Sequence, residues 1–415
     1  MKILLNRLKV SDISLILCCF SLHFLIAIDM LIIVPFSASI ALDTGTSSAQ
    51  AGYLTSAYAL AAAAICLRVK GAKSAHKELI RLIALLVGIT LTTLLTPVLN
   101  DFGLILLARA ITGVFGGALA VINLNFMLLA TSKQSKRKNT AVLLSAFPLA
   151  LALGVPLLLS ATSATNWQLG FQLLGGGFIC LLILFALYHH YQDSAGAEST
   201  ASLAPALSTS EPPATHKALR FALLIITSAV VSTFIVSTQY PVMLITTLNI
   251  PDSLLSWCYT VSGIGSFLAI QAYARVSLKN RSISHVITLL SIAMLVAIHL
   301  GFSTLEVVYA AITFIVFVIA SSARTLIITT ELISSLTVND RVKMIGLQGA
   351  VQHFSVGLGS TISSTLITLG SDLSPDFTQV ITVATALIML TPILWWRNSG
   401  KETHSSDKPQ SANSK

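Results

Sequence analysis

Phe102–Gly117, FGLILLARAITGVFGG, is the stretch on which the fold turns. It is apolar except for Arg109 and Thr112, with Gly113, Gly116 and Gly117 following at helical spacing, and apart from Asn123 and Asn125 the apolar character continues to Ala130. About 20 such residues, rising 1.5 Å each, span the roughly 30 Å hydrocarbon layer of a bilayer. An arginine in the middle of such a span costs about 2.5 to 3.5 kcal/mol, so Arg109 calls for a partner. The best candidate is Asp29, in the apolar run IAIDMLIIVP at 26–35.

Similar runs recur from end to end. Of the 415 residues, 54% are hydrophobic and 10% charged, and the mean hydropathy is +0.84. That composition describes an all-α polytopic membrane protein. No stretch interleaves basic and aromatic residues on an aqueous face, so the net charge of +9 does not point to nucleic acid. The five cysteines (Cys18, Cys19, Cys66, Cys180, Cys258) lie in or beside apolar runs without metal-ligand or disulfide spacing. HExxH, a phosphate-binding glycine loop and a nucleophile elbow are all missing, so neither an enzyme nor an ATP-driven pump is expected, and no cofactor. The first apolar run follows Lys2, Arg7 and Lys9 but is long, carries Asp29 and lacks a small-residue cleavage site; it reads as a retained span.

Twelve spans fit the hydropathy, near 13–36, 49–67, 79–99, 102–129, 140–162, 167–190, 218–245, 254–275, 283–301, 305–330, 342–368 and 376–396. Charge tests the count independently. If the N-terminus is inside, 23 of the 25 lysines and arginines fall in inner segments, and the other two, Arg109 and Arg324, lie within spans. The outer segments then hold only acids: Asp43, Asp101, Asp252, Glu306, Asp372 and Asp376. This asymmetry puts both termini in the cytoplasm. A Ser-, Ala-, Thr- and Pro-rich stretch separates the sixth and seventh spans and has too little apolar content to pack. The expected organisation is therefore a six-helix half over 1–190, a flexible cytoplasmic linker over 191–217, a second half over 218–397 and a disordered tail over 398–415. Two pseudo-symmetric halves with a site at their interface are the usual build of a secondary transporter.

Three stretches carry a resemblance to the major facilitator superfamily, most nearly to its twelve-helix drug and sugar efflux branch, which exchanges substrate for protons. LLARAITGVFGGAL in helix 4 resembles the family's R-x-x-x-G motif through Arg109 and Gly113. ALALGVPLLL in helix 5 resembles the antiporter proline-glycine motif through Gly154 and Pro156. NWQLGFQLLGGGF resembles the start of helix 6 through Trp167 and Phe171. Two departures stand out: RVKGAKSAHKE after helix 2 lacks the aspartate of the family's loop motif, and Leu157 and Leu158 follow Pro156 where a second glycine pair is usual.

The resemblance implies proton coupling at Arg109; Asp29, its partner by depth, reads as the carboxylate that loads and releases the proton, since an intramembrane acid marks a functional site. Counted from the ends of their spans, each lies about seven residues, or roughly 10 Å, below the outer surface. A permanent ion pair that only specifies packing is the plainer alternative. Gly113 and Gly117 share a face and suit close helix packing; Pro156 and Gly154 mark a kink. Arg324, near the inner end of helix 10, reads as snorkelling or as an inner-gate ion pair with Glu331, two turns on. Polar candidates for the substrate cavity are His23, Tyr53, Tyr58, Asn123, Gln239, Tyr240, Gln348, Gln352 and His353. Asn123 and Asn125, two apart, cannot both face it.

The expected function is proton-coupled efflux of a small amphipathic compound (a drug, sugar derivative or metabolite) by alternating access. The expected setting is a monomer in the inner, or plasma, membrane. A proton-coupled uptake permease would use the same residues, and a non-transporting membrane receptor or assembly protein is the remaining alternative.

Overall fold

The computed structural model describes residues 2–131, 135–162, 166–194, 216–275, 280–335, 338–369 and 375–406. Helices α1 to α4 are Lys2–Asp43, Gly52–Cys66, Ala75–Leu95 and Phe102–Ala130. Helix α5 is broken into Lys136–Leu144, Ala146–Leu149, a π-turn at Ala150–Gly154 and Val155–Thr162. Helices α6 to α9 are Trp167–Ser194, His216–Thr246, Asp252–Arg275 and Asn280–Ser303. Helices α10 to α12 are Val307–Ser335, Val338–Leu366 and Thr378–Ser406. A two-residue antiparallel ribbon, Thr368–Leu369 with Pro375–Asp376, joins α11 to α12. The described residues thus form an all-helical, polytopic membrane fold of twelve helices.

Nine of the helices are long and apolar enough on their own to cross a bilayer. The three exceptions have local causes. Helix α2 has only 15 residues, and α11 carries Gln348, Gln352, His353 and a run of serines and threonines. In α5, Pro156 has no N–H to give to Ala152, and its ring crowds that carbonyl, so the preceding turn widens to π geometry.

Helices α1 and α12 both extend further than their apolar runs. Helix α1 passes through Pro35 and ends at Asp43, so Asp29 stands fourteen residues from its end rather than the seven counted from sequence. Helix α12 continues to Ser406 because nothing in RNSGKETHSS is a proline. The start of the segment expected to be disordered is therefore helical, and 407–415 lie outside the described residues. The linker expected at 191–217 falls mostly on 195–215, also outside them.

Helices α1–α6 form one half and α7–α12 the other, meeting chiefly through α2 on α11, α5 on α8 and α1 on α7. The end carrying the α1–α2, α3–α4 and α7–α8 turns is here called distal, and the end carrying the chain termini proximal. Among the described residues, distal turns contain no lysine or arginine, whereas Arg68, Lys70, Lys73, Lys77, Lys136, Arg220, Arg275 and Arg397 are proximal.

Candidate functional site

Asp101 starts α4 by accepting a hydrogen bond from the Leu104 N–H at 2.9 Å. Two turns later the helix delivers Arg109 to Asp29 of α1. Arg109 Nη1 donates to Asp29 Oδ1 at 3.0 Å, and Nη2 donates to the Asp29 backbone carbonyl at 2.9 Å. Both side chains are fully buried. Tyr58 of α2 lays its ring 4.7 Å from the guanidinium, and Phe171 of α6 approaches to 5.5 Å. Cation–π contact of this kind partly offsets desolvation of the charge.

Glycine makes the arrangement possible. A side chain at Gly113 would collide with the Tyr58 carbonyl, and one at Gly117 with the backbone of Ala62. Helix α2 therefore lies directly on α4, as small residues permit in membranes. Three buried polar atoms around the pair have no partner: Asp29 Oδ2, Arg109 Nε and the Tyr58 hydroxyl.

A second polar cluster closes the proximal end of the same half. Glu78 is fully buried at the start of α3. It accepts from the Ala72 N–H at 3.1 Å, from Arg81 Nη1 at 3.0 Å and from Asn125 Nδ2 at 2.6 Å. Asn125 also donates to the Ala72 carbonyl, and Arg81 to that of Lys70. The α2–α3 loop, which lacks the family aspartate, is thus pinned by a glutamate eight residues after Lys70. Asn123 is occupied elsewhere, donating to the Cys19 carbonyl at 2.8 Å.

In the second half, Arg324 is fully buried and turns away from Glu331. It donates to the Ala229 carbonyl (3.1 Å), Ser232 Oγ (2.8 Å) and Ser291 Oγ (3.4 Å), all neutral acceptors on α7 and α9. Glu331 instead accepts from the Tyr273 hydroxyl of α8. The expected Arg324–Glu331 pair does not form, because seven residues separate them by about 10 Å along the axis and each finds a nearer partner. Tyr240 also departs from a cavity position. It sits among Phe302, Phe314 and Phe317, its hydroxyl donating to Thr313 Oγ1 at 2.9 Å.

The halves are held together toward the distal end by hydroxyl groups. Ser56 of α2 bonds Thr361 of α11, and Ser160 of α5 lies 2.7 Å from Ser256 of α8. Within the second half, Thr238 meets Ser360 at 3.1 Å and Gln239 meets Ser364 at 3.5 Å. Side chains at Gly52 or Gly263 would strike the opposite half. Nearer the proximal side, His23 of α1 and Gln348, Gln352 and His353 of α11 are partly buried, as is Tyr53 near the distal start of α2. Among the described residues no group of three or more His, Cys, Asp or Glu could hold a metal ion.

Sequence reasoning singled out Asp29, Arg109 and Tyr58, which the structure brings together. It passed over Glu78, hidden in a basic loop, and Asp43, which accepts from the Trp167 indole N–H at 2.8 Å and ties α1 to α6.

The fold has well-populated company among solved structures. A bacterial homologue of the human lysosomal transporter Spinster, inward-facing and occupied, superposes with a TM-score of 0.64 at 13% identity, covering 96% of this chain and 98% of that one. A mutant of the nucleoside transporter NupG gives 0.65 at 13% identity, covering 92% and 99%. The human organic anion transporter TETRAN gives 0.59 at 12%, also covering 92% and 99%. No curated protein matches the chain. The Major Facilitator Superfamily model matches residues 19–335, and the chain belongs to that family: it is a multi-pass membrane transporter, not an enzyme.

Proposed function

We propose that this transporter exports a small amphipathic compound in exchange for protons, with Asp29 as the proton carrier and Arg109 as its charge partner. The observation that supports this most is the unpartnered Oδ2 of Asp29, buried beside a guanidinium that also holds the residue's backbone carbonyl. A proton on Oδ2 removes the ionic part of the α1–α4 contact and leaves the carbonyl hydrogen bond, so protonation changes the strength of a helix contact without dismantling it. Substrate and proton can then be linked through the position of α1, which packs on α2, α4, α5, α6 and α7.

In this reading the two halves rock about their boundary. His23, Tyr53, Gln348, Gln352 and His353 contact the substrate, and the π-turn before Pro156 flexes. The basic proximal end faces the cytoplasm of an inner or plasma membrane, and a single chain suffices. The fold neighbours are named for different cargoes, which leaves the substrate to experiment.

The test is a screen in proton-loaded proteoliposomes, with amphipathic drugs, sugar derivatives and nucleosides offered to the wild type and to Asp29→Asn. Gradient-driven movement of at least one compound, lost in the variant while it remains inserted, is the expected result. No movement of any compound by the wild type, or equal movement by both proteins, overturns it. Flux direction in everted vesicles separates export from uptake.

A further inference from the structure

Tyr58 is buried on α2, and the glycines of α4 set its place. The Tyr58 carbonyl rests where a side chain at Gly113 would stand, and the Tyr58 hydroxyl where one at Gly116 would stand. Seated on that strip, the ring lies 4.7 Å from the Arg109 guanidinium, with Phe171 of α6 at 5.5 Å. Both are inside the roughly 6 Å over which a ring face attracts a cation. The hydroxyl has no hydrogen-bond partner, so it is through its ring that this side chain meets the ion pair.

The ring does not treat the two charge states of Asp29 alike. With the carboxylate ionised, the guanidinium is held by Oδ1 and by the backbone carbonyl. With the carboxylate protonated, the guanidinium keeps its charge and loses its counter-ion, where neither side chain reaches solvent. The electron-rich faces of Tyr58 and Phe171 then balance that charge, and the same faces repel an ionised carboxylate. On both counts the rings favour the state in which Asp29 carries a proton.

Other ionisable groups stand further along the packed helices. On α1, His23, Cys19 and Cys18 lie on the proximal side of Asp29, and Asp43 at the distal end is held by Trp167. On α2, Tyr53 is distal and Cys66 proximal to Tyr58, and Asp101 caps the distal start of α4. His76, Lys77, Glu78 and Arg81 of α3, Lys136 of α5, Tyr188, His189, His190 and Tyr191 of α6, and Arg220 of α7 are proximal, and Cys180 of α6 is exposed. Tyr240 of α7 is enclosed by phenylalanines. His353 is one turn from Gly357, which meets Leu60 on the opposite side of α2 from Tyr58. All of these stay unchanged when only position 58 is altered.

We propose that Tyr58 is a positioning residue for the transported proton: its ring carries the guanidinium charge while Asp29 is protonated and so sets the pH at which Asp29 loads. This rests on the reading of Asp29 as the proton carrier and adds the group that tunes it.

The test is an infrared titration of the full chain in lipid nanodiscs across about pH 4 to 9, following the C=O band of a protonated carboxyl group. Asp29→Asn identifies the part of the band that belongs to Asp29. Tyr58→Leu should lower the midpoint of that band by about half a pH unit or more, and Tyr58→Phe, which keeps the ring, should restore it. Pentafluorophenylalanine at position 58 keeps the ring's shape and inverts the charge of its face, so it should act as leucine does, and it decides the matter should Tyr58→Leu fail to fold. A midpoint unmoved by either replacement would show that the ring only packs, and a Tyr58→Phe midpoint as low as that of Tyr58→Leu would assign the effect to the hydroxyl; each overturns the role of the ring. A wild type with no Asp29 band at any pH overturns the carrier itself, and the role of Tyr58 with it.

Discussion

Arg109 binds Asp29 twice, once through the carboxylate and once through the backbone carbonyl, at 3.0 and 2.9 Å. The two bonds respond differently to loss of charge. Asp29→Asn keeps the carbonyl bond and an amide oxygen as acceptor, whereas Arg109→Ala leaves a buried carboxylate with no counter-charge. Removing either member of a buried pair costs about 3 to 5 kcal/mol, but in Asp29→Asn the retained carbonyl bond, the amide oxygen and the Tyr58 ring still hold the guanidinium. Thermal unfolding in detergent should therefore show Arg109→Ala far less stable than the wild type and Asp29→Asn clearly closer to it. Equal losses would mean that the ionic bond alone holds the contact.

Gly113 lies against the Tyr58 carbonyl with no room for a methyl group. Gly113→Ala should push α2 off α4 and cost about 1 to 3 kcal/mol, the usual range for overpacking. Gly176 has open space around its Cα, so Gly176→Ala is the control, and its melting temperature should stay at that of the wild type. A similar melting temperature for both variants would contradict the packing role.

Glu78 anchors the α2–α3 loop through three donors. Glu78→Ala leaves the Ala72 N–H unsatisfied and the Asn125 amide with only its bond to the Ala72 carbonyl, at about 1 to 3 kcal/mol. The loop carries exposed Lys70 and Lys73, so trypsin should cut the variant there faster than the wild type. Unchanged cleavage would leave the clamp without a role.

Charge and glycine spacing made the N-terminal half legible in advance, because Arg109, Asp29, Gly113 and Gly117 stand out against an apolar background. Positions that depend on a neighbouring helix did not show. Glu331 shares a helical face with Arg324, yet only the placement of Tyr273 on α8 decides where it points. Tyr240 looked like a cavity residue by polarity, but its ring joins phenylalanines from α9 and α10. The depth of Asp29 counts seven residues from the end of the first apolar span at 36, which stops short of the helix end. The helix absorbs Pro35 and continues to Asp43.

At the distal surface, bonds from the Thr378 hydroxyl and its backbone N–H hold the Asp376 carboxyl below the usual carboxylate range. The stabilisation is present above the unfolded value, near 3.9, and is lost as pH falls through the lowered folded one. Melting temperatures of the wild type and Asp376→Asn should therefore differ by a constant amount between about pH 5 and pH 8. A difference that grows across that window would contradict the assignment.

The most direct test of the central claim is transport by Asp29→Asn in proteoliposomes, using a compound that the wild type moves, with and without a pH gradient. Loss of gradient-driven accumulation with substrate exchange at equal pH retained is the predicted result. Accumulation by Asp29→Asn equal to that of the wild type would contradict it.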